Sequence, residues 1–510
     1  MGYRLCLMAS VCILGLACGG GSSSKSTPTP GGSAVTFTLQ PQSQVVSANG
    51  VVSFTVAASG DPSPTFQWQR SEPGSSTWSA LSGATTTTYS FTAQTQDSGA
   101  KFRAQASSGG NTVNSNAATL TVLSGQSLAG EFPFGVWLQS PTRTRGGKTN
   151  AENYRDIGIT IFIGLWEWPS ETNMGTGYDL PAAQALKDNG LKAIAGNDQS
   201  AVDWINAHPD FASTFTGYLL GDEADMNKVS GDPAVAAASM PDAWQSTGDA
   251  MRTADPTRER YANFGKGFAL DPWVGYHINP GPTQADDFAK YIEPTTFISS
   301  DYYAITDPYE ALEDHGIWGY GRAVTNTINN ADGLPVWGFV EGSAPFPEGK
   351  VANNLAARMP ANLIYSAIWE MVAHGANGVI YFCHDFSNGM IEDGLLNEPG
   401  MPEAVKAANA SVTQYGSVLA TATVAGTTAV TDGSVPVTVL TKHFNGFTYI
   451  FAMGDGNTNY PSGKAVTATI SVSGAGSGSV HELQDGRTLT LTSGSFSDTF
   501  DPYQLHIYRF

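Results

Sequence analysis

Gly217-Tyr-Leu-Leu-Gly-Asp-Glu-Ala-Asp225 is the stretch whose reading decides the fold. An apolar run enters Gly221 and then meets Asp222 and Glu223. That order predicts a short buried strand with carboxylates at its C-terminal tip, the arrangement by which an α/β barrel builds a site. Pro335-Val-Trp-Gly-Phe-Val-Glu341-Gly342 repeats the pattern further along the chain.

Working outward, short β-like runs alternate with helical patterns between residues 131 and 418, as βα units around a parallel sheet do. Eight strands are expected: Phe134–Leu138, Ile159–Leu165, Lys192–Ala195, Gly217–Gly221, Arg260–Phe264, Phe297–Ser300, Val336–Val340 and Gly378–Cys383. Helices are expected between them, among others over Leu180–Asn189, Ala238–Thr253 and Ala352–His374. Eight such strands within about 250 residues predict a (β/α)8 barrel.

The flanks read differently. Residues 35–124 and 421–510 alternate apolar and polar positions, as in Val51-Val-Ser-Phe-Thr-Val56 and Phe447-Thr-Tyr-Ile-Phe-Ala452, with Gly, Ser, Asn and Pro at short intervals. Both predict β-sandwiches, and Asp485-Gly486 predicts a tight hairpin in the second. Trp68 and the sequence Asp97-Ser-Gly99-Ala-Lys-Phe102 resemble the core Trp and corner of an immunoglobulin-like fold, with both disulfide positions non-Cys. The expected organisation is multidomain: a TIM barrel between an N-terminal immunoglobulin-like β-sandwich and a C-terminal β-sandwich.

Ahead of these, Arg4 precedes the apolar run Leu5 to Leu16, which ends at Ala17-Cys18. This predicts a signal peptide over 1–18, too short to span a membrane. Leu14-Gly-Leu-Ala-Cys18 resembles a bacterial lipoprotein box. It implies lipidation at Cys18, a flexible tether over 19–34, and a secreted or surface-anchored protein. The net charge of −20 over 510 residues removes the electrostatic case for nucleic acid or an anionic membrane face. Beyond Cys18 only Cys383 remains, so an internal disulfide or a multi-thiolate metal site is excluded.

With Glu223 after the fourth strand and Glu341 after the seventh, the chain resembles the clan A glycoside hydrolases. The resemblance implies a retaining mechanism on a β-linked glycan, with Glu223 as acid/base and Glu341 as nucleophile. Two carboxyls suit that chemistry because one protonates the leaving oxygen while the other attacks the opposite face of the sugar. The clan places Asn before its acid/base; here that residue is Asp222, whose charge would raise the pKa of Glu223. The resemblance also implies that Tyr302 contacts the nucleophile. Other strand ends offer Trp137, Gln139, Trp166, Glu167, Trp168, Asn197, Asp198, Asn263, Lys266, Asp301, Tyr303, His384 and Asp385 as walls of a sugar pocket, aromatic faces stacking on rings and polar groups meeting hydroxyls. Trp273 and Trp318 are candidate outer platforms. No cofactor is expected, nor a catalytic metal, because His208, His277, His315, His374 and His384 lie scattered in the sequence. Lys192 stands at the start of its strand and is badly placed for Schiff-base chemistry. The rival reading is a non-catalytic surface lipoprotein that binds glycans on the same barrel.

Overall fold

The computed structural model describes residues 35–47, 51–73, 75, 77–94, 97, 99–123, 132–166, 179–196, 199–226, 237–270, 284–308, 316–347, 356–433, 435–455 and 465–510. Eight strands close into a parallel barrel in sequence order. They are β1 (Phe134–Gln139), β2 (Ile161–Leu165), β3 (Lys192–Ala195), β4 (Phe215–Asp222), β5 (Glu259–Phe264), β6 (Phe297–Ser300), β7 (Val336–Glu341) and β8 (Gly378–Phe382). Closure comes from β1 pairing with β8, Phe134 opposite Val379. One principal helix follows each strand: α1 (Asn150–Asp156), α2 (Leu180–Asp188), α3 (Gln199–Ala207), α4 (Pro241–Ala254), α5 (Gln284–Ile292), α6 (Ile317–Asn330), α7 (Ile364–Ala373) and α8 (Met401–Thr413). Of the helix expected over Ala352–His374, residues 352–355 lie outside the described residues, and among those described it starts at Ile364, after Pro360 and a 3-10 turn at Ala361–Leu363. Proline turns the preceding residue away from helical torsions, which fixes that boundary.

Side chains alternate across the barrel wall. Trp137, Ile161, Ile163, Ile194, Tyr261, Phe297, Trp337, Phe339 and Ile380 fill the interior. The opposite faces pack under the helices in a larger core, which runs on into Phe451, Met453, Leu505 and Ile507 of the C-terminal module. That module has a five-stranded antiparallel sheet facing a three-stranded one, and its second core lies between them. Gly486, at φ +76°, turns the hairpin joining Gly478–Glu482 to Thr488–Leu491. The N-terminal module is built of a six-stranded sheet and two strand pairs around fully buried Trp68 and Phe102.

The joint between barrel and C-terminal module is a packed core. Trp369 of α7 is fully buried, donates to Ser411 Oγ at 2.8 Å, and stacks on Phe451 with ring centroids 5.8 Å apart. Trp369→Ala should therefore remove about 3–5 kcal/mol. In scanning calorimetry the variant should melt lower, with barrel and C-terminal sandwich unfolding together.

Candidate active site

The C-terminal rim of the barrel gathers acidic residues on β4, β6 and β7. Glu223 leaves β4 with φ +45°, a left-handed conformation that costs a residue with a Cβ roughly 1–2 kcal/mol. Its N–H donates to Asn263 O of β5 at 2.9 Å, and its carbonyl closes a turn with Met226 N at 2.8 Å. Gly265 makes room for it. A Cβ there would strike Met226 and lie 3.1 Å from Glu223 Oε1.

The Glu223 carboxyl stands beside that of Asp301, just beyond β6, close enough for each to perturb the other. Burial raises Asp301 well above the carboxylate range, helped by the charges of Glu223 and Asp222. Burial also raises Glu223, opposed by the bond from Asp301 and by the Lys266 ammonium. Two buried carboxyls this close cannot both ionise cheaply, which favours the neutral form of one of them. Tyr303 OH donates to Asp301 Oδ2 at 3.3 Å, and Lys266 Nζ lies 2.6 Å from Asp307.

Asp222 is exposed along the mouth, with protein crowding its carboxyl on the other sides. That crowding, then the charge of Glu223, pushes it up to about 7, against the hydrogen bond from Asn263. A relay fixes this bond: Tyr261 OH meets Ser299 Oγ at 2.5 Å, Ser299 donates to Asn263 Oδ1 at 2.5 Å, and Asn263 Nδ2 donates to Asp222 Oδ1 at 2.8 Å. Asp225 is wholly buried; its Oδ1 accepts from Gly265 N, and its Oδ2 has no hydrogen-bond partner among the described residues. Burial pushes it up to about 7.

Glu341 occupies the tip of β7 but is closed to solvent. Its Oε1 accepts from Ile305 N, Thr306 N and Thr306 Oγ1 at 3.1–3.2 Å, and its Oε2 accepts from Tyr320 OH at 2.6 Å. Burial raises it to about 6, while these donors pull it down. The structure thus joins Glu223 to Asp301 and ties Glu341 to the loop that follows β6. The hydroxyl 2.6 Å from Glu341 belongs to Tyr320 of α6, a mid-helix residue that no motif marks. Tyr302 lies in the core outside the barrel wall, with Arg322 6.0 Å from its ring.

The remaining candidates divide in the same way. Trp137 is core, edge-on to Tyr261 and Phe339 inside the barrel. Gln139 is also buried; it donates to Glu392 O and accepts from Tyr154 OH at 2.6 Å, so it fastens the β1 and β8 loops together. His384 lies against Trp166 and is stacked on Phe386. Neither His384 nitrogen nor Trp166 Nε1 has a partner among the described residues. Burial, then the Arg143 charge, lowers His384 to about 4, so a neutral imidazole and an indole N–H stand ready for a polar ligand. Asp385 is bound to Arg358 at 2.7 Å beside a cavity of about 500 Å³. Trp318 carries the Arg322 guanidinium 4.7 Å above its ring. Cys18, Glu167, Trp168, Asn197, Asp198, Trp273, His277 and His315 lie outside the described residues.

The raised carboxyls give stability a definite pH dependence. Between roughly pH 4 and 7 the folded chain holds protons that the unfolded chain has released, so stability falls as pH rises through that window. The melting temperature should drop from pH 5 to pH 8. Asp225→Asn should lessen that drop in parallel thermal melts.

A family model described as Domain of unknown function (DUF8696) matches residues 36–124. No curated protein matches the chain. Among solved structures it is similar to a family 39 glycoside hydrolase from Bacteroides cellulosilyticus WH2, at 13% identity and TM-score 0.39 over 92% of this chain and 99% of that one. It is similar to an alpha-amylase from Geobacillus thermoleovorans, at 10% identity and TM-score 0.43 over 74% of this chain and 98% of that one. A Bacteroides uniformis beta-glucuronidase aligns at 8% identity and TM-score 0.30, over 93% of this chain and 75% of that one.

Proposed function

We propose that the protein hydrolyses glycosidic bonds at the barrel mouth, with Glu223 as the proton donor. One observation carries this reading: the raised carboxyls of Glu223 and Asp301 stand together beside exposed Asp222. A raised carboxyl is an acid still loaded near neutral pH, which leaving-group protonation requires. The proton passes to the glycosidic oxygen as the bond to the anomeric carbon breaks. Water bonds to the anomeric carbon as its proton passes to Asp222, held by Asn263; Asp222 then releases that proton to solvent, from which Glu223 regains one. Trp166 and His384 supply a stacking face and polar contacts for a sugar ring.

In this reading Glu341 is a positioning residue. It anchors Ile305 and Thr306, and so the loop that presents Asp301 and Tyr303. A second reading makes Glu341 the nucleophile of a double displacement on a β-linked glycan. Its place on the interior-facing register of β7, in line with Trp337 and Phe339, favours that role. The apolar run ending at Cys18 supports a lipid-anchored surface location, and Trp68 with the 97–102 corner supports an immunoglobulin-like N-terminal module.

Purified protein assayed on aryl β-glycosides and a polysaccharide panel tests the proposal. Glu223→Gln and Asp301→Asn should each lower kcat about 100-fold or more. Asp301→Asn should also move the alkaline limb of the pH–rate profile to lower pH, because the neighbouring carboxyl is lost. Labelling of Glu341 by a 2-fluoro glycoside would establish the double displacement. Binding without turnover on any panel member would leave a glycan-binding protein instead.

A further inference from the structure

Away from the mouth, where α7 meets the C-terminal sandwich, Glu370, His374 and Asp455 bring ligating atoms within 4.8 Å of one another. Glu370 and His374 stand one helical turn apart at the end of α7 and so share a face. Asp455 follows the strand Phe447–Gly454 of the sandwich. His374 Nε2 is 3.5 Å from Glu370 Oε1 and 3.7 Å from Asp455 Oδ1. Both separations are too long for good hydrogen bonds.

The vicinity is otherwise satisfied. His374 Nδ1 meets Thr325 Oγ1 at 2.7 Å, and Asp455 Oδ2 accepts from Thr438 Oγ1 at 2.7 Å. Four atoms have no hydrogen-bond partner among the described residues: both Glu370 oxygens, His374 Nε2 and Asp455 Oδ1. Glu370 is wholly buried. Gly321 of α6 keeps the space between these atoms clear; a Cβ there would lie 2.6 Å from His374 Nε2 and 2.9 Å from Glu370 Oε1.

Buried carboxylate oxygens without donors are costly. An imidazolium between the two acids would leave the second Glu370 oxygen bare and its own contacts long. A dication answers every open atom at once. We propose that Glu370, His374 and Asp455 form a structural site for a divalent cation of the zinc class, which takes imidazole and carboxylate ligands together. The His374 separations match the edge of about 3.4 Å expected between ligands of a tetrahedral ion with bonds of about 2.1 Å. Thr325 fixes the ring by accepting from Nδ1–H, leaving the Nε2 lone pair for the metal. The ion joins a barrel helix to the sandwich, so its effect is on the joint and not on the chemistry at the mouth.

The intact protein, stripped with EDTA, is titrated with zinc by calorimetry and with cobalt(II) by visible absorption. One zinc per chain, a higher melting temperature on zinc addition and cobalt ligand-field bands are expected. His374→Ala and Asp455→Ala should each weaken zinc binding at least 100-fold, and Thr325→Val about tenfold. Absence of zinc binding at micromolar concentration, or unchanged affinity in both ligand variants, overturns the site. Circular dichroism checks that the variants fold. Should they not, the wild-type cobalt spectrum decides: bands support the site and their absence overturns it.

Discussion

A carboxylate surrounded by protein must hold a proton, gather donors or meet a cation, because its charge is poorly solvated there. This constraint shapes the molecule more than any other. At the end of β6, Asp301 lies against Glu223, and burial with that neighbouring charge favours its neutral form. At the end of β7, Glu341 meets it with four donors from the neighbouring loop and helix. At the end of β8, Glu392 accepts from Ser140 N and Arg143, while Arg145 forks onto Asp393. Each solution also ties one strand-end loop to another, so the rim of the barrel is held together by its buried carboxylates.

The barrel was legible because parallel strands are buried on both faces and appear as short unbroken apolar runs. Phe297–Ser300 and Val336–Val340 are of this kind, and the structure places strands there. Carboxylates at strand tips were legible for the same reason, since a charge that ends an apolar run marks where the strand leaves the barrel. What each carboxylate touches was not legible. Tyr320 reaches Glu341 from the middle of a helix, and Asp301 meets Glu223 across two strands. Strand order says which tips are neighbours, but not the rotamers that join them. Trp137 shows the converse limit: a Trp at a strand tip belongs to core or mouth according to the pleat, and one residue decides which.

The C-terminal module was legible as strands but not as a structural partner. Phe451 and Leu505 face the barrel helices, while Ile450 and Tyr508 face the sandwich's own core. Both faces of that sheet are apolar, which sequence alternation alone does not assign to two different cores. Glu370, on the most hydrophobic helix of the barrel, gave no signal until Asp455 was brought beside it.

The torsion of Glu223 bears on how this sequence can drift. At φ +45° the backbone would be more comfortable with glycine or asparagine. Under the proposed function, activity and fold therefore pull in opposite directions at this position. A duplicated copy released from selection for activity would gain stability by losing this side chain, so glycine or asparagine here would be an early mark of a barrel that has given up its chemistry and kept its shape.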